Sequence, residues 1–155
     1  MTGVKAMNEI KTQNKYGDII KLFISDKETK DKIEVKNITL EIGGIINDKS
    51  FSKPNREILI TSLDSYDIMK HHDIVVDFGA LGENILVNFN PYHLTIGTQL
   101  KCGDVILEIS MYCPVCNHLS ELKSNLPKLI KNDRGIFAKV VQGGNIEVGS
   151  KIFVI

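Results

Sequence analysis

Arginine and tryptophan are scarce in this sequence. Of its 19 basic residues only Arg56 and Arg134 are arginine, and tryptophan is absent. Lysine suffices wherever only a positive charge is needed, whereas a planar, bidentate donor to a carboxylate or phosphate has to be arginine. We therefore expect the two arginines to lie where an anion is bound. The alternative is that AT-rich coding alone accounts for the scarcity.

The charge balance and the hydrophobic runs exclude several classes of protein. The 19 basic residues are matched by 19 acidic ones, whereas a nucleic-acid-binding face needs an excess of basic side chains. No apolar run approaches the roughly 18 residues of a membrane span. The N-terminus has no apolar signal segment, and the cysteine count is odd. These features predict a cytoplasmic protein that binds neither nucleic acid nor membranes.

The hydrophobic pattern is typical of many short strands with glycine turns between them. Residues 1–15 are predicted to form a flexible tail and residues 16–155 a single domain. One helix is expected to be capped by Asp64 or Ser65, and a second to span about 117–131. We predict a mainly β fold, a closed or nearly closed barrel with one or two appended helices. The predicted strands span residues 18–25, 32–42, 57–63, 84–89, 99–102, 105–111, 135–141, 145–148 and 151–155.

The most reactive segment is Cys113-Pro114-Val115-Cys116, between a predicted strand and a predicted helix. At a helix start the backbone N–H groups would favour a thiolate at Cys116. From the residues alone four interpretations stay open: a dithiol redox pair, a zinc site that also uses Cys102 and His118, a single reactive cysteine, and an inert buried cysteine.

Three loops carry further candidate residues. The loop 44–56 ends in Arg56, the loop 77–84 is rich in glycine, and Arg134 lies just before a predicted strand. Each loop by itself is also compatible with an ordinary solvated surface.

Taken in order, these elements resemble the MOSC domain, found at the C-terminus of molybdenum-cofactor sulfurases and as small stand-alone bacterial proteins. The resemblance covers residues 17–155 and implies the β-barrel fold of that family. Cys116 falls on the family's signature cysteine, and Cys113 is additional. The matching elements are Gly44–Asp48 with Arg56-Glu57, Gly79–Ile85, Ile96–Gly103, Cys116, and Gly135–Val140 with Gly143-Gly144 and Val148–Ser150.

The resemblance implies a barrel pocket in which Cys116 carries sulfur as a persulfide or ligates the molybdenum of a bound pterin cofactor. Arg56 and Arg134 would hold the anionic tail of that cofactor. Asp48 and Glu83 would position the arginines or the loops. The remaining pocket residues would be Gly79, Gly82 and Asn84. A cysteine desulfurase would be the sulfur donor, and the family is also associated with pyridoxal phosphate binding.

Two other functions stay open. Some relatives are molybdenum-dependent reductases of N-hydroxylated compounds, and such an activity would need a partner reductase as electron donor. A zinc-binding or dithiol redox protein would instead use Cys113 and Cys116.

Overall fold

A computed structural model describes residues 15–29, 31–113 and 134–155 of the chain. These residues form mainly β structure with one α-helix and a short 3₁₀ turn at Pro91–His93. The helix is α1, Leu63–His71. The strands are β1 (Lys15–Ser25), β2 (Lys32–Val35), β3 (Asn37–Glu41), β4 (Gly44–Ile45), β5 (Ile58–Ser62), β6 (Ile85–Val87), β7 (Gln99–Cys102), β8 (Val105–Tyr112), β9 (Ile136–Gln142), β10 (Gly144–Glu147) and β11 (Lys151–Val154).

Seven of the strands close into a barrel. The order of neighbours is β11-β7-β8-β9-β5-β6-β1, and β1 pairs again with β11. β5 and β6 run parallel, whereas the other pairs in the ring are antiparallel. Closure leaves the ring without an unpaired edge, which is how barrels avoid edge-to-edge association. The predicted β-barrel is confirmed.

The predicted strand 32–42 is divided into two strands that belong to different sheets. β2 ends at Val35 and extends the barrel sheet by pairing with β1. After Lys36, β3 pairs instead with β10 and β4 in a small sheet of three strands. Lys32 is thereby placed on a strand next to the end of β1.

The barrel interior is filled by aliphatic side chains. Along β9, Ile136, Ala138 and Val140 are buried while Lys139 is exposed, so the strand shows the two-residue period of a sheet with one face in the core. β6 is buried throughout, because Ile85 and Val87 face the barrel interior and Leu86 packs under the helix.

Helix α1 covers the outside of the barrel wall. Its N-cap is Ser62, whose hydroxyl accepts from Asp64 N at 2.8 Å, so the prediction of Asp64 or Ser65 as the cap was wrong. The last residue of a buried strand supplies the cap, and this was hidden by the more typical Asp-Ser pair that follows. The buried face of the helix meets Ile74, Leu81 and Leu86.

Two predicted features lie outside the described residues, namely the tail up to residue 14 and the helix over 117–131. Lys15, predicted to be the last residue of the tail, opens β1. Among the described residues, no helix has the length and hydrophobicity needed to cross a membrane.

Candidate functional site

A charged cavity of about 230 Å³ lies beneath the loop that joins β4 to β5. It brings together segments that are far apart in sequence: the end of β1, the start of β2, the loop 48–56, the turn before β6, and the facing ends of β8 and β9. Its lining residues are Ser25, Lys32, Asp48, Lys49, Ser50, Lys53, Arg56, Leu59, Leu81, Gly82, Asn84, Cys113, Arg134 and Phe137.

The cavity lies against the outer face of the barrel wall. Leu59 and Phe137 line it and are directly paired across β5 and β9. Their neighbours along the strands, Ile58, Ile60 and Ile136, pack into the barrel core. Because successive side chains alternate between the two faces of a strand, Leu59 and Phe137 point away from that core.

The barrel interior has no room for a cofactor. The space left among its side chains is about 10 Å³, no more than the roughly 10–15 Å³ that a single water molecule requires. Cys102 lines this space, and burial raises the pKa of the Cys102 thiol. The larger cavity is instead formed by loops outside the barrel wall.

The cavity carries an excess of positive charge. Five cationic side chains line it, against Asp48 as the single carboxylate among the described lining residues, which leaves an excess of four when all are charged. A concave surface lined by one sign of charge concentrates its field and attracts the opposite sign. The cations are Lys32, Lys49, Lys53, Arg56 and Arg134.

Arg134 forms the buried part of the cavity. The residue is only 2% exposed, and its Nη2 donates to Leu81 O at 2.7 Å. Nε and Nη1 have no hydrogen-bond partner in the part of the chain that the structure describes. A guanidinium always carries charge and five donors, and leaving donors unpaired in a buried place is costly. The unpaired donors therefore point to an anion as the missing partner.

The residue after Arg134 explains why the chain approaches the barrel wall so closely. Gly135 has φ of 119°, and a Cβ built on it would lie 2.5 Å from Ile60 O. Only glycine adopts this conformation readily, and only glycine leaves space for the neighbouring backbone. β9 can thus begin directly against β5, and Arg134 lies two residues before the first residue of β9.

Arg56, by contrast, lies at the exposed rim. Its guanidinium lies 5.6 Å from the centre of the Phe137 ring, within the range of a cation–π contact. The flat ring supports the flat guanidinium at the mouth of the cavity. Both arginines thus line one cavity, with Arg134 deep and Arg56 at the surface.

Asp48 and Asn84 organise the loops around the cavity. Asp48 is 1% exposed; its Oδ1 accepts from Ser25 N at 2.7 Å, and its Oδ2 accepts from Ser50 N at 3.0 Å. Asn84 accepts from Leu59 N at 3.0 Å and donates to Asp48 Oδ1 at 3.1 Å. Asp48 therefore holds backbone segments and Asn84, rather than an arginine.

Lys32 closes one side of the cavity. Its Nζ donates to Gly82 O at 3.0 Å, which ties β2 to the turn before β6. Burial lowers the pKa of Lys32, and the negative charges of Asp48 and Glu83 oppose that shift. Lys32 also lines an adjoining open groove, together with Gly79. Gly82 thus lines the charged cavity as expected, whereas Gly79 lies in the neighbouring groove.

Glu83 is fully buried behind the glycine-rich loop. Its Oε2 accepts from Tyr66 Oη at 2.6 Å and from Gly79 N at 3.2 Å. Tyr66 Oη in turn accepts from Gly79 N at 3.0 Å and Leu81 N at 3.3 Å. Burial, followed by the charge of Glu83 and its hydrogen bond, raises the pKa of Tyr66 far above its ordinary value. Glu83 and Tyr66 of helix α1 together thus hold the loop 79–83 in place.

The cysteines are separated by the fold. Cys113 is buried at the end of β8 and lines the charged cavity, while Cys102 lies in the barrel core. No group of three metal-binding side chains occurs within 15–29, 31–113 and 134–155. Cys116 and His118 lie outside the described residues, so the zinc site and the reactive role of Cys116 stay predictions.

Sequence reasoning missed several residues of the cavity. No motif singles out Lys32, Lys49 or Lys53, and Phe137 occurs only within the matching element Gly135–Val140. Their positions in the loop before Arg56 and on the strand after Arg134 are the only signals in the sequence, because lysine is common throughout this chain. Proximity in space, not residue type, distinguishes them.

Comparison with known proteins agrees with this fold. A family model described as the MOSC domain matches residues 47–153. No curated protein matches the chain. The YuaD protein from Bacillus subtilis has a TM-score of 0.78 at 18% identity, covering 89% of this chain and 94% of that one. YiiM from Geobacillus stearothermophilus has a TM-score of 0.71 at 18% identity, covering 90% of this chain and 75% of that one. YiiM from Escherichia coli has a TM-score of 0.70 at 17% identity, covering 89% of this chain and 69% of that one.

Proposed function

Because the chain belongs to the MOSC domain family, we propose that its charged cavity holds the anionic tail of the molybdenum cofactor and that Cys116 is the sulfur-carrying or molybdenum-binding residue. The observation that carries the proposal is Arg134, a buried guanidinium that lines the cavity with Nε and Nη1 unpaired among the described residues.

The residues present suit a phosphate-bearing ligand. A phosphate group accepts paired hydrogen bonds from one guanidinium, and Arg134 retains the donors for them. The surrounding lysines add charge without fixed geometry, as is common in phosphate sites. A thiolate is a soft ligand suited to a transition metal, and Cys113 shows that the cysteine motif begins at the wall of this cavity. When bound, the cofactor would supply a redox-active metal centre.

The chain itself has three tasks in this proposal. Arg134 anchors the phosphate at depth, and Arg56 with the rim lysines attracts it from solvent. Asp48 and Asn84 keep the loops that carry those cations in place. Phe137 and Leu59 form the apolar floor, which excludes water from one side of the ligand and thereby strengthens the charged contacts.

The sulfur-carrier role assigns a partner. A persulfide on Cys116 needs a sulfur donor, and a cysteine desulfurase provides sulfur in that form. Cys113, the first residue of the cysteine motif, follows β8 and lines the cavity outside the barrel wall, so sulfur could be received and delivered without passing through the barrel.

The test is cofactor retention. The full chain is expressed in cells that make the cofactor, and molybdenum and pterin are measured per chain for wild type, Cys116→Ser, Arg134→Lys and Lys70→Met. Lys70 is exposed on α1 and is not a lining residue of the cavity, so it controls for lost charge. We expect loss of molybdenum in Cys116→Ser and loss of both components in Arg134→Lys. If Cys116→Ser retains as much molybdenum as wild type, and mass spectrometry finds the same persulfide content in both, the proposal is wrong.

A further inference from the structure

We propose a second chemistry for the charged cavity: Cys113 accepts the outer sulfur atom of a small sulfane-sulfur oxyanion, for which thiosulfate is the probe. The inference shares the anion-binding role of the cavity with the proposed function but needs neither the cofactor nor Cys116.

Cys113 and Arg134 come from one corner of the barrel wall. Cys113 directly follows β8, and its backbone N donates to Gly135 O at 3.1 Å. Gly135 directly follows Arg134, and the adjacent pair Tyr112 and Ile136 is in register across β8 and β9. Both Cys113 and Arg134 line the cavity. A thiol and a buried guanidinium with unpaired donors therefore share one small space.

The positive charge of this cavity favours an anion as its occupant. Arg134 offers Nε and Nη1, and the four other cations leave the cavity strongly positive even with Asp48 counted. A doubly charged oxyanion satisfies the unpaired donors and offsets the excess charge. The same positive charge suits a thiolate, which is the reactive form of cysteine. An anion that reacts with thiolates is thus the occupant that uses all of these groups.

The leaving group of the reaction narrows the reaction type. Phosphoryl transfer from a phosphate ester would release an alkoxide, which needs a proton from a donor in the cavity. Asp48, the carboxyl residue among the described lining residues, has both oxygens occupied as acceptors from Ser25, Ser50 and Asn84. Thiosulfate needs no such donor, since sulfite departs as a stable anion. The lysines could supply that proton, so the choice rests on the nucleophile: a thiolate is soft and attacks sulfur readily, which favours sulfur transfer over phosphoryl transfer.

The reaction step is a displacement at sulfur. The Cys113 thiolate attacks the outer sulfur of thiosulfate, and a new S–S bond forms at Sγ. The S–S bond of thiosulfate breaks, and its electron pair leaves with sulfite. Atoms and charge balance as thiolate plus thiosulfate gives persulfide anion plus sulfite, with no external oxidant or reductant. Arg134 holds the sulfonate oxygens in both the bound and the departing anion.

The experiment uses metal-free, reduced protein that has been freed of small thiols. Thiosulfate is added, sulfite release is followed in a single turnover, and the modified cysteine is located by mass spectrometry of the peptide containing residue 113. Wild type is compared with Cys113→Ser, Arg134→Lys and the matched control Cys102→Ser, whose thiol lies in the barrel core. Because the protein is metal-free, absence of sulfite release would contradict the thiosulfate proposal without affecting the cofactor proposal. In the same way, a failure to retain the cofactor would not affect the thiosulfate proposal.

We expect sulfite release with one added sulfur atom on Cys113 in wild type and Cys102→Ser, and neither in Cys113→Ser. Arg134→Lys should slow release by about tenfold or more, because a charge-assisted bidentate contact is lost. Sulfate should compete in wild type, which tests the anion site even if Arg134→Lys does not fold. Absence of sulfite, sulfur located on Cys116, or release unaffected by sulfate would each overturn the proposal.

Discussion

Asn84 donates from its side-chain amide to Asp48 Oδ1 at 3.1 Å, across 36 residues of sequence. Each residue also binds backbone of a barrel strand, Asp48 through Ser25 N and Asn84 through Leu59 N. The pair therefore joins the cavity loop, β1, β5 and the turn before β6 into one buried polar network. Such networks are stable only while every member is paired.

Asn84→Ala should cost about 3 kcal/mol of unfolding free energy, because it removes three hydrogen bonds and leaves buried partners unsatisfied. Urea denaturation measures the change. Asn88→Ala is the matched control, since its amide makes two hydrogen bonds to Asp18 at the surface, and it should cost under about 1 kcal/mol. Equal losses for the two variants would contradict the role of the buried network.

Tyr66→Phe should lower the unfolding free energy by about 1–3 kcal/mol, because Glu83 loses its shortest described hydrogen bond while its carboxyl group stays fully buried. Tyr112→Phe is the control: its hydroxyl donates to Leu94 O at 3.0 Å from a partly exposed ring. Thermal unfolding of the two variants should differ clearly. A loss no greater than that of Tyr112→Phe would show that the Tyr66–Glu83 contact contributes little.

The same contact predicts a dependence on alkaline pH. Tyr66 has a raised pKa in the folded protein, so above about pH 10 the unfolded chain releases a proton that the folded chain retains. Stability then falls with pH, by at most about 1.4 kcal/mol per pH unit from this group. Tyr66→Phe should show a shallower decline than wild type between pH 10 and 11. Identical slopes in denaturation at those pH values would argue against the shifted pKa.

Gly135→Ala should destabilise the protein much more than Gly97→Ala. Both glycines have positive φ, 119° and 93°, so alanine is strained by about 1–2 kcal/mol at either position. Only at Gly135 would the new Cβ meet a backbone atom, Ile60 O at 2.5 Å, whereas nothing lies within 4 Å at Gly97. Chemical denaturation compares them. A similar loss in both variants would mean that the backbone relaxes around residue 135.

Arg134→Lys should weaken sulfate binding by about tenfold or more, and Arg56→Lys should weaken it less. The reason is depth: Arg134 is 2% exposed with a guanidinium fixed by Leu81 O, while Arg56 is exposed and screened by solvent. Isothermal calorimetry with sulfate measures both, with Lys70→Met as the charge control. The reverse ranking would place the anion at the rim rather than at the buried guanidinium.

The strands could be predicted well from the sequence, whereas the site could be predicted only in part. Alternation of buried and exposed residues marks β3, β8 and β9, because the period of a strand is local. The cap of α1 was misassigned, since Ser62 belongs to a fully buried strand and the neighbouring Asp64 and Ser65 are equally good cap residues. Lys32 was not selected at all, because its contact with Gly82 spans 50 residues.

The sequence by itself determined the strand pattern, the motif order and the presence of only two arginines, because each depends on residue type and local spacing. Only the tertiary structure decided that Arg134 is deep and Arg56 superficial, that the cavity lies outside a filled barrel, and that Cys113 shares it. The physical reason is that burial and charge proximity are set by contacts between distant segments, which no local pattern encodes.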